Sequence, residues 1–151
     1  YTDLIDFAPE LFTNVNRAQT QISGFTLSGE SQLTSALLWS GAVTHIDIDS
    51  AEEIRGRPDW YGNTSLIWAA CDTLDLGASA VFNSNFTELS IPTGVAAIDG
   101  HIAVDLHGAL AVSEALSLSL ALRNVLDADY QQAVGFPAPG RHVRARLGFR
   151  F

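Results

Sequence analysis

Apolar side chains recur at every second position along most of the chain. A period of two describes strands with one apolar face and excludes amphipathic helices, whose apolar positions recur every three or four residues. The clearest stretch is IAVDLHGALAV, with Ile102, Val104, Leu106, Leu110 and Val112 on one side and Ala103, Asp105, His107, Ala109 and Ala111 on the other. After the break SEA, Leu116, Leu118, Leu120 and Leu122 alternate with Ser117, Ser119, Ala121 and Arg123. Two such runs about a short break predict a hairpin. The same alternation places Leu74, Leu76, Ala78, Ala80, Phe82 and Phe86 together, then Trp60, Leu66 and Trp68, then Leu37, Trp39 and Val43. The last residues, RHVRARLGFRF, put Val143, Ala145, Leu147, Phe149 and Phe151 on one parity and His142, Arg144, Arg146 and Arg150 on the other.

About eight strands are expected, forming an all-β, antiparallel, up-and-down sheet. The earliest, near 1–7 and 14–27, alternate least well: Arg17, Gln19 and Gln21 share the parity of Phe25 and Leu27, so a bulge or phase change is expected near Ser23-Gly24. Short joints fall near 29–32, 71–73 and 113–115, and long ones near 8–13, 49–58, 87–100 and 128–140. Short turns at one end of every hairpin and long loops at the other predict a transmembrane β-barrel segment, with periplasmic turns and external loops. No uncharged apolar run approaches the roughly 18 residues of a spanning helix, and no signal peptide is visible, so a membrane role must use strands. A chain opening on Tyr1 and lacking Met suggests a piece of something longer.

Charge follows the same division. The formal net charge is −9, and all eight cations are Arg, four of them in the last eleven residues, a balance that argues against nucleic acid as a partner. From about Leu33 onward the apolar parity carries no charge within any strand core. A cation at a lipid-facing midplane costs roughly 2–4 kcal/mol, so a charge-free face marks surroundings that exclude ions. The opposite face is rich in Ser, Ala, Asn and Gly, where a soluble exterior would carry Lys and Glu. Trp39, Trp60, Tyr61, Phe86, Tyr130, Phe149 and Phe151 lie near strand ends, as interfacial aromatics do.

Candidate chemistry is sparse. Cys71 is the single cysteine, which excludes an intrachain disulfide and reads as a small half-buried residue. His45, Asp47 and Asp49 share a parity suited to metal ligands, but they read better as a strand rising into water, and the acidic 47–53 segment lacks a calcium-loop pattern. No nucleophile has a base partner; no catalytic residue, metal site or cofactor is expected, and the chain reads as no enzyme. A turn symmetric about Glu114 would set Asp105 directly across from Arg123 as an inward-pointing pair, with Arg144 and Arg146 on the next strand able to join it.

The stretch from Asn124 to Phe151 carries a resemblance. Asn124-Val125-Leu126-Asp127 with Tyr130, then Gly135-Phe136-Pro137, then Pro139-Gly140-Arg141, and a last strand through Phe149 to Phe151, resembles the C-terminal end of TonB-dependent outer-membrane receptors. DLIDF, TNVNRA and GRPDW upstream are similar to that family too, especially its cobalamin-receptor branch. Val125-Leu126 stands for the family's usual Leu-Phe, and Thr26 for a frequent Glu. The resemblance implies that residues 1–151 are the C-terminal portion of a barrel domain, with plug domain and earlier strands absent. It implies import of a scarce nutrient such as cobalamin or a ferric siderophore across a Gram-negative outer membrane. Implied partners are outer-membrane lipid, the nutrient, the barrel-assembly machinery reading the terminal aromatic, and an energy-transducing inner-membrane complex acting through the missing plug. The rival readings are a self-contained eight-stranded structural or adhesive barrel, marked by pairing of 1–7 with the final strand, and a soluble sandwich, marked by apolar faces meeting in a dry interior.

Overall fold

The computed structural model describes residues 4–8, 12–17, 20–50, 54–90 and 94–151. Seven strands form one antiparallel sheet: β3 (Thr20–Thr34), β4 (Leu37–Ser50), β5 (Trp60–Cys71), β6 (Leu74–Asn83), β9 (His101–Ser113), β10 (Leu116–Arg123) and β13 (His142–Phe149). Their order is β13-β10-β9-β6-β5-β4-β3, so every neighbour in space is also the next long strand in sequence. Three small hairpins complete the described chain: β1 (Leu4–Ala8) with β2 (Thr13–Arg17), β7 (Phe86–Ser90) with β8 (Gly94–Ile98), and β11 (Gln131–Ala133) with β12 (Phe136–Pro137).

The long strands run 8 to 15 residues, and a tilted transmembrane strand needs about 9–11. Connections at one end of the sheet, at 35–36, 72–73 and 114–115, are two residues long, whereas the opposite end carries 51–59, the β7–β8 hairpin and 124–141 with β11–β12. The predicted segregation of turns and loops is therefore present. The first turn is displaced: Gly29 to Gln32, rich in turn-forming residues, lies inside β3, and the chain reverses at Ser35-Ala36. Pairing rather than local composition decides this, because Leu27, Gly29 and Ser31 continue in register against Val43, Gly41 and Trp39. No bulge occurs at Ser23-Gly24 either; the shift in this pair falls between Gln32 and Thr34. Gln21 and Ser23 keep the apolar parity because they face Asp49 and Asp47 beyond the apolar band, where polar side chains belong.

Side chains directly opposite one another share a face, so register divides the sheet cleanly. On one face β10 and β13 bring Leu116, Leu118, Leu120 and Leu122 against Phe149, Leu147, Ala145 and Val143. The row beginning at Leu27 continues through Val43, Gly62, Phe82 and Ile102. Nothing covers this face among the described residues: Leu27 is 68% exposed, Val143 67% and Leu147 56%, while the buried apolar residues are Ile98 and Ala103 alone. The accessible surface of 10455 Å² far exceeds the roughly 7,500 Å² of a compact monomer of 16.2 kDa. A soluble sandwich would have closed those faces on each other.

The sheet is also open. β3 and β13 each have one neighbour, and β1 pairs with β2 instead of with the last strand. The eight-stranded closed barrel required the opposite. Tyr1, at the start of the strand expected near 1–7, lies outside the described residues.

Candidate functional site

The apolar face ends in aromatics. Phe25, His45 and Trp60 come from three adjacent strands through the pairs Phe25–His45 and His45–Trp60. The imidazole stacks on the indole at 4.3 Å, and Phe25 meets Trp60 edge-on at 5.9 Å. His45 Nδ1 lies 3.1 Å from the Asp59 carbonyl, so the side chain once considered as a metal ligand is engaged in packing. Trp39 would bring an unsatisfied indole N–H into the apolar band, but it donates to Thr64 Oγ1 at 2.9 Å. Of the other end aromatics proposed from sequence, Tyr61 occupies the opposite face across from Asn83, Phe86 belongs to β7, and Tyr130 stacks on His101 at 3.6 Å. Cys71 is exposed beside the 72–73 turn, not half-buried.

The other face carries a polar row that crosses the sheet. Register aligns Glu30, Ser40, Ser65, Ser79 and Asp105, and continues to Arg123 and His142. Ser40 and Ser65 share a hydrogen bond at 2.8 Å. Arg123 Nη1 donates to Asp105 Oδ2 at 2.5 Å, and the Asn124 amide donates to Asp105 Oδ1 at 2.8 Å. The pair anticipated from turn symmetry forms, even though a bulge separates Leu116 from Ser117 beside the turn. Arg144 and Arg146 share the face but do not join it; neither has an ion-pair partner among the described residues. On the next row the His107 ring occupies the space beside Gly77, where an added Cβ would stand 2.2 Å from Nε2.

Beyond β10 the expected motif residues fold into a clamp. Asn124 is buried, at 4% exposure, with φ of 50°, and Asp127 has φ of 53°. Asn and Asp are the side-chain-bearing residues that adopt this left-handed region most readily. Asn124 Oδ1 accepts from the Ala128 amide at 2.9 Å, while Nδ2 donates to the carbonyls of Ala128 at 2.9 Å and Pro139 at 3.3 Å. Asp127 Oδ1 accepts from the Arg141 amide at 2.7 Å, and the Arg141 guanidinium lies 3.8 Å from its Oδ2. Gly140 lets that carboxylate approach: a Cβ there would sit 3.2 Å from Oδ1. The Tyr130 backbone carbonyl closes the loop by accepting from the Ala138 amide at 2.9 Å.

Six of the eight motif positions, Asn124, Asp127, Tyr130, Pro139, Gly140 and Arg141, are thus gathered into one hydrogen-bonded unit. Phe149 and Phe151 lie apart, exposed at the turn end of β13. Sequence reading missed the bond from the Val134 amide to Glu88 Oε2 at 2.8 Å, which ties the β7–β8 hairpin to the 128–140 loop. Forty-six residues separate the partners, and no local pattern signals it.

An open apolar sheet face whose central band carries no charge, a polar face with a cross-strand ion pair, and loops gathered at one end define the wall of a transmembrane β-barrel, in agreement with the expected fold class. No family model and no curated protein matches the chain. Its fold is that of part of the barrel of known import receptors. It superposes on the ferric-catecholate import receptor Fiu from E. coli K12 with a TM-score of 0.75 and 19% identity, covering 89% of this chain and 21% of that one. The ferripyoverdine receptor of the Pseudomonas aeruginosa outer membrane gives 0.72 at 16% identity, covering 91% and 20%. The siderophore receptor PiuA from Acinetobacter baumannii gives 0.73 at 17%, covering 91% and 23%. The chain thus spans about a fifth of the length of these receptors.

Proposed function

We propose that this chain is a wall segment of a TonB-dependent receptor in a Gram-negative outer membrane, and that the receptor imports a ferric siderophore. The observation that carries this reading is the uncovered, uncharged apolar face of a seven-stranded sheet whose fold is shared with siderophore receptors. Lipid then covers Leu118, Leu120, Leu147 and Val143, while Asp105, Arg123 and the other polar-face residues line the lumen. Unpaired backbone groups in hydrocarbon cost several kcal/mol each, so the free edges of β3 and β13 require further strands. Those strands and a plug domain belong to the remaining part of the receptor, and coupling to the inner membrane runs through that plug. The nutrient would meet the loop end, where β7–β8 and the 124–141 segment are tied together by Glu88. Phe149 and Phe151 would be read by the barrel-assembly machinery, an assignment that rests on the resemblance of the 124–151 stretch. Cobalamin, favoured by the upstream sequence resemblance, gains no support from the siderophore receptors that share this fold.

Spin labels test the orientation in outer membranes carrying the intact receptor. Labels at Leu118 and Leu147 should be relaxed by dissolved oxygen, and labels at Ser119 and Arg146 by a water-soluble nickel chelate. Reversed accessibilities would reject the wall assignment. Loss of growth on a ferric siderophore as sole iron source, when the gene is deleted, tests the import step separately.

A further inference from the structure

Four of the charged side chains on the polar face of β9, β10 and β13 are Asp105, Arg123, Arg144 and Arg146, and among the described residues just one of the three arginines has a counterion. Arg123 is held by Asp105, which leaves the other two uncompensated. They lie two residues apart on one face of β13, opposite Ala121 and Ser119, and beyond those stand His107 and Ala109. The next acid on Arg146's row, Asp75, is three strands away and directly opposite Ala109. Small side chains keep the floor low, so the arginines overlook an open hollow of about 690 Å³ that also takes in Ser79, Ser119, His107 and Arg123. Its charged and hydroxyl groups offer hydrogen-bond donors to an anion, and no carboxylate lines it.

We infer that Arg144 and Arg146, with Ser119 beside them, form a binding site for carboxylate groups on the lumen wall. Paired guanidinium groups bind carboxylates through short, charge-assisted and often bidentate hydrogen bonds. The carboxylate comes either from an acidic side chain of polypeptide filling the lumen or from a free solute passing through it; the chemistry is shared, and the test separates the sources. The location in the lumen rests on the wall reading above, which the spin labels examine independently.

The probe for a solute is citrate, titrated calorimetrically into the intact receptor in detergent at low ionic strength. Binding should weaken at least roughly tenfold in the double variant Arg144→Gln/Arg146→Gln, as expected for losing two charge-assisted donors, and should remain in Arg150→Gln. For a polypeptide source, Arg144→Lys and Arg146→Lys are treated in the membrane with a water-soluble carbodiimide, which condenses a lysine amine with an adjacent carboxylate to an amide with loss of water. These 151 residues contain no other Lys, so a cross-linked peptide is readily traced. A cross-link to an acidic residue outside them, or citrate binding that the double variant loses, supports the site. Cross-links confined to Asp75, Asp105 or Asp127, or the absence of both signals, would overturn it. Retained outer-membrane assembly of each variant, checked by heat-modifiable mobility, separates these outcomes from failure to fold.

Discussion

The two faces of the seven-stranded sheet share one set of backbone hydrogen bonds yet obey opposite rules. On the apolar face identity is nearly interchangeable: Leu118 faces Leu110 and Leu147, and the requirement is that no charge appear. On the polar face position matters more than type. Asp105 is useful because Arg123 and the Asn124 amide both reach it, and His107 fits because Gly77 leaves room beneath. One face is therefore specified by what surrounds the protein, and the other by partners within it.

The largest test of this contrast is a charge on each face at neighbouring positions. Leu120→Arg should destabilise the intact receptor in lipid vesicles by about 2–4 kcal/mol in a urea titration, and Ala109→Arg, on the polar face opposite Asp75, by less than about 0.5 kcal/mol. Equal losses would erase the distinction between the faces. Next comes the clamp at the loop end. Asn124→Ala removes bonds to the Ala128 amide and to two carbonyls and puts Ala at a φ of 50°, so a loss of about 2–3 kcal/mol is expected. Asn124→Gly keeps the backbone conformation accessible and should lose less; if the two variants unfold alike, the conformational share is nil.

Gly77→Ala should cost on the order of 1 kcal/mol through displacement of the His107 ring, and that cost should vanish in a His107→Ala background. A persistent penalty there would move the cause away from the imidazole. The smallest effect belongs to the cross-strand pair. Arg123 and Asp105 side chains are 45% and 26% exposed, so a double-mutant cycle with Arg123→Gln and Asp105→Asn should give a coupling of roughly 0.2–1 kcal/mol. Asp105→Asn alone should exceed Arg123→Gln, because Asp105 also holds the Asn124 amide. Equal single effects would mean that this second bond contributes nothing.

Much of this was legible without coordinates, for a definite reason. A strand's side-chain period is two whatever surrounds it, so Leu116 to Leu122 and Val143 to Phe149 announced both strands and the shared face. The same geometry gave the Asp105–Arg123 register, which depended on one turn. Local composition misleads where strand pairing decides. Gly29 to Gln32 looked like a turn, and Gln21 looked out of phase, because neither residue type reveals how far a strand continues past its apolar band. The clamp was legible as a motif but not as a mechanism: Asn124 and Asp127 were singled out, and their hydrogen bonds to Ala128, Pro139 and Arg141 were not foreseeable from spacing.

By itself the sequence determined the strands, their two-sidedness and the segregation of charge, since these follow from alternation along a single extended backbone. Tertiary structure alone decided that the sheet stays open, that β1 folds back on β2, that Arg144 and Arg146 stand apart from Asp105, and that Glu88 bonds to Val134. Such facts depend on contacts between residues far apart in the chain, whose pairing is set by the global arrangement of strands and leaves no periodic trace in the order of amino acids.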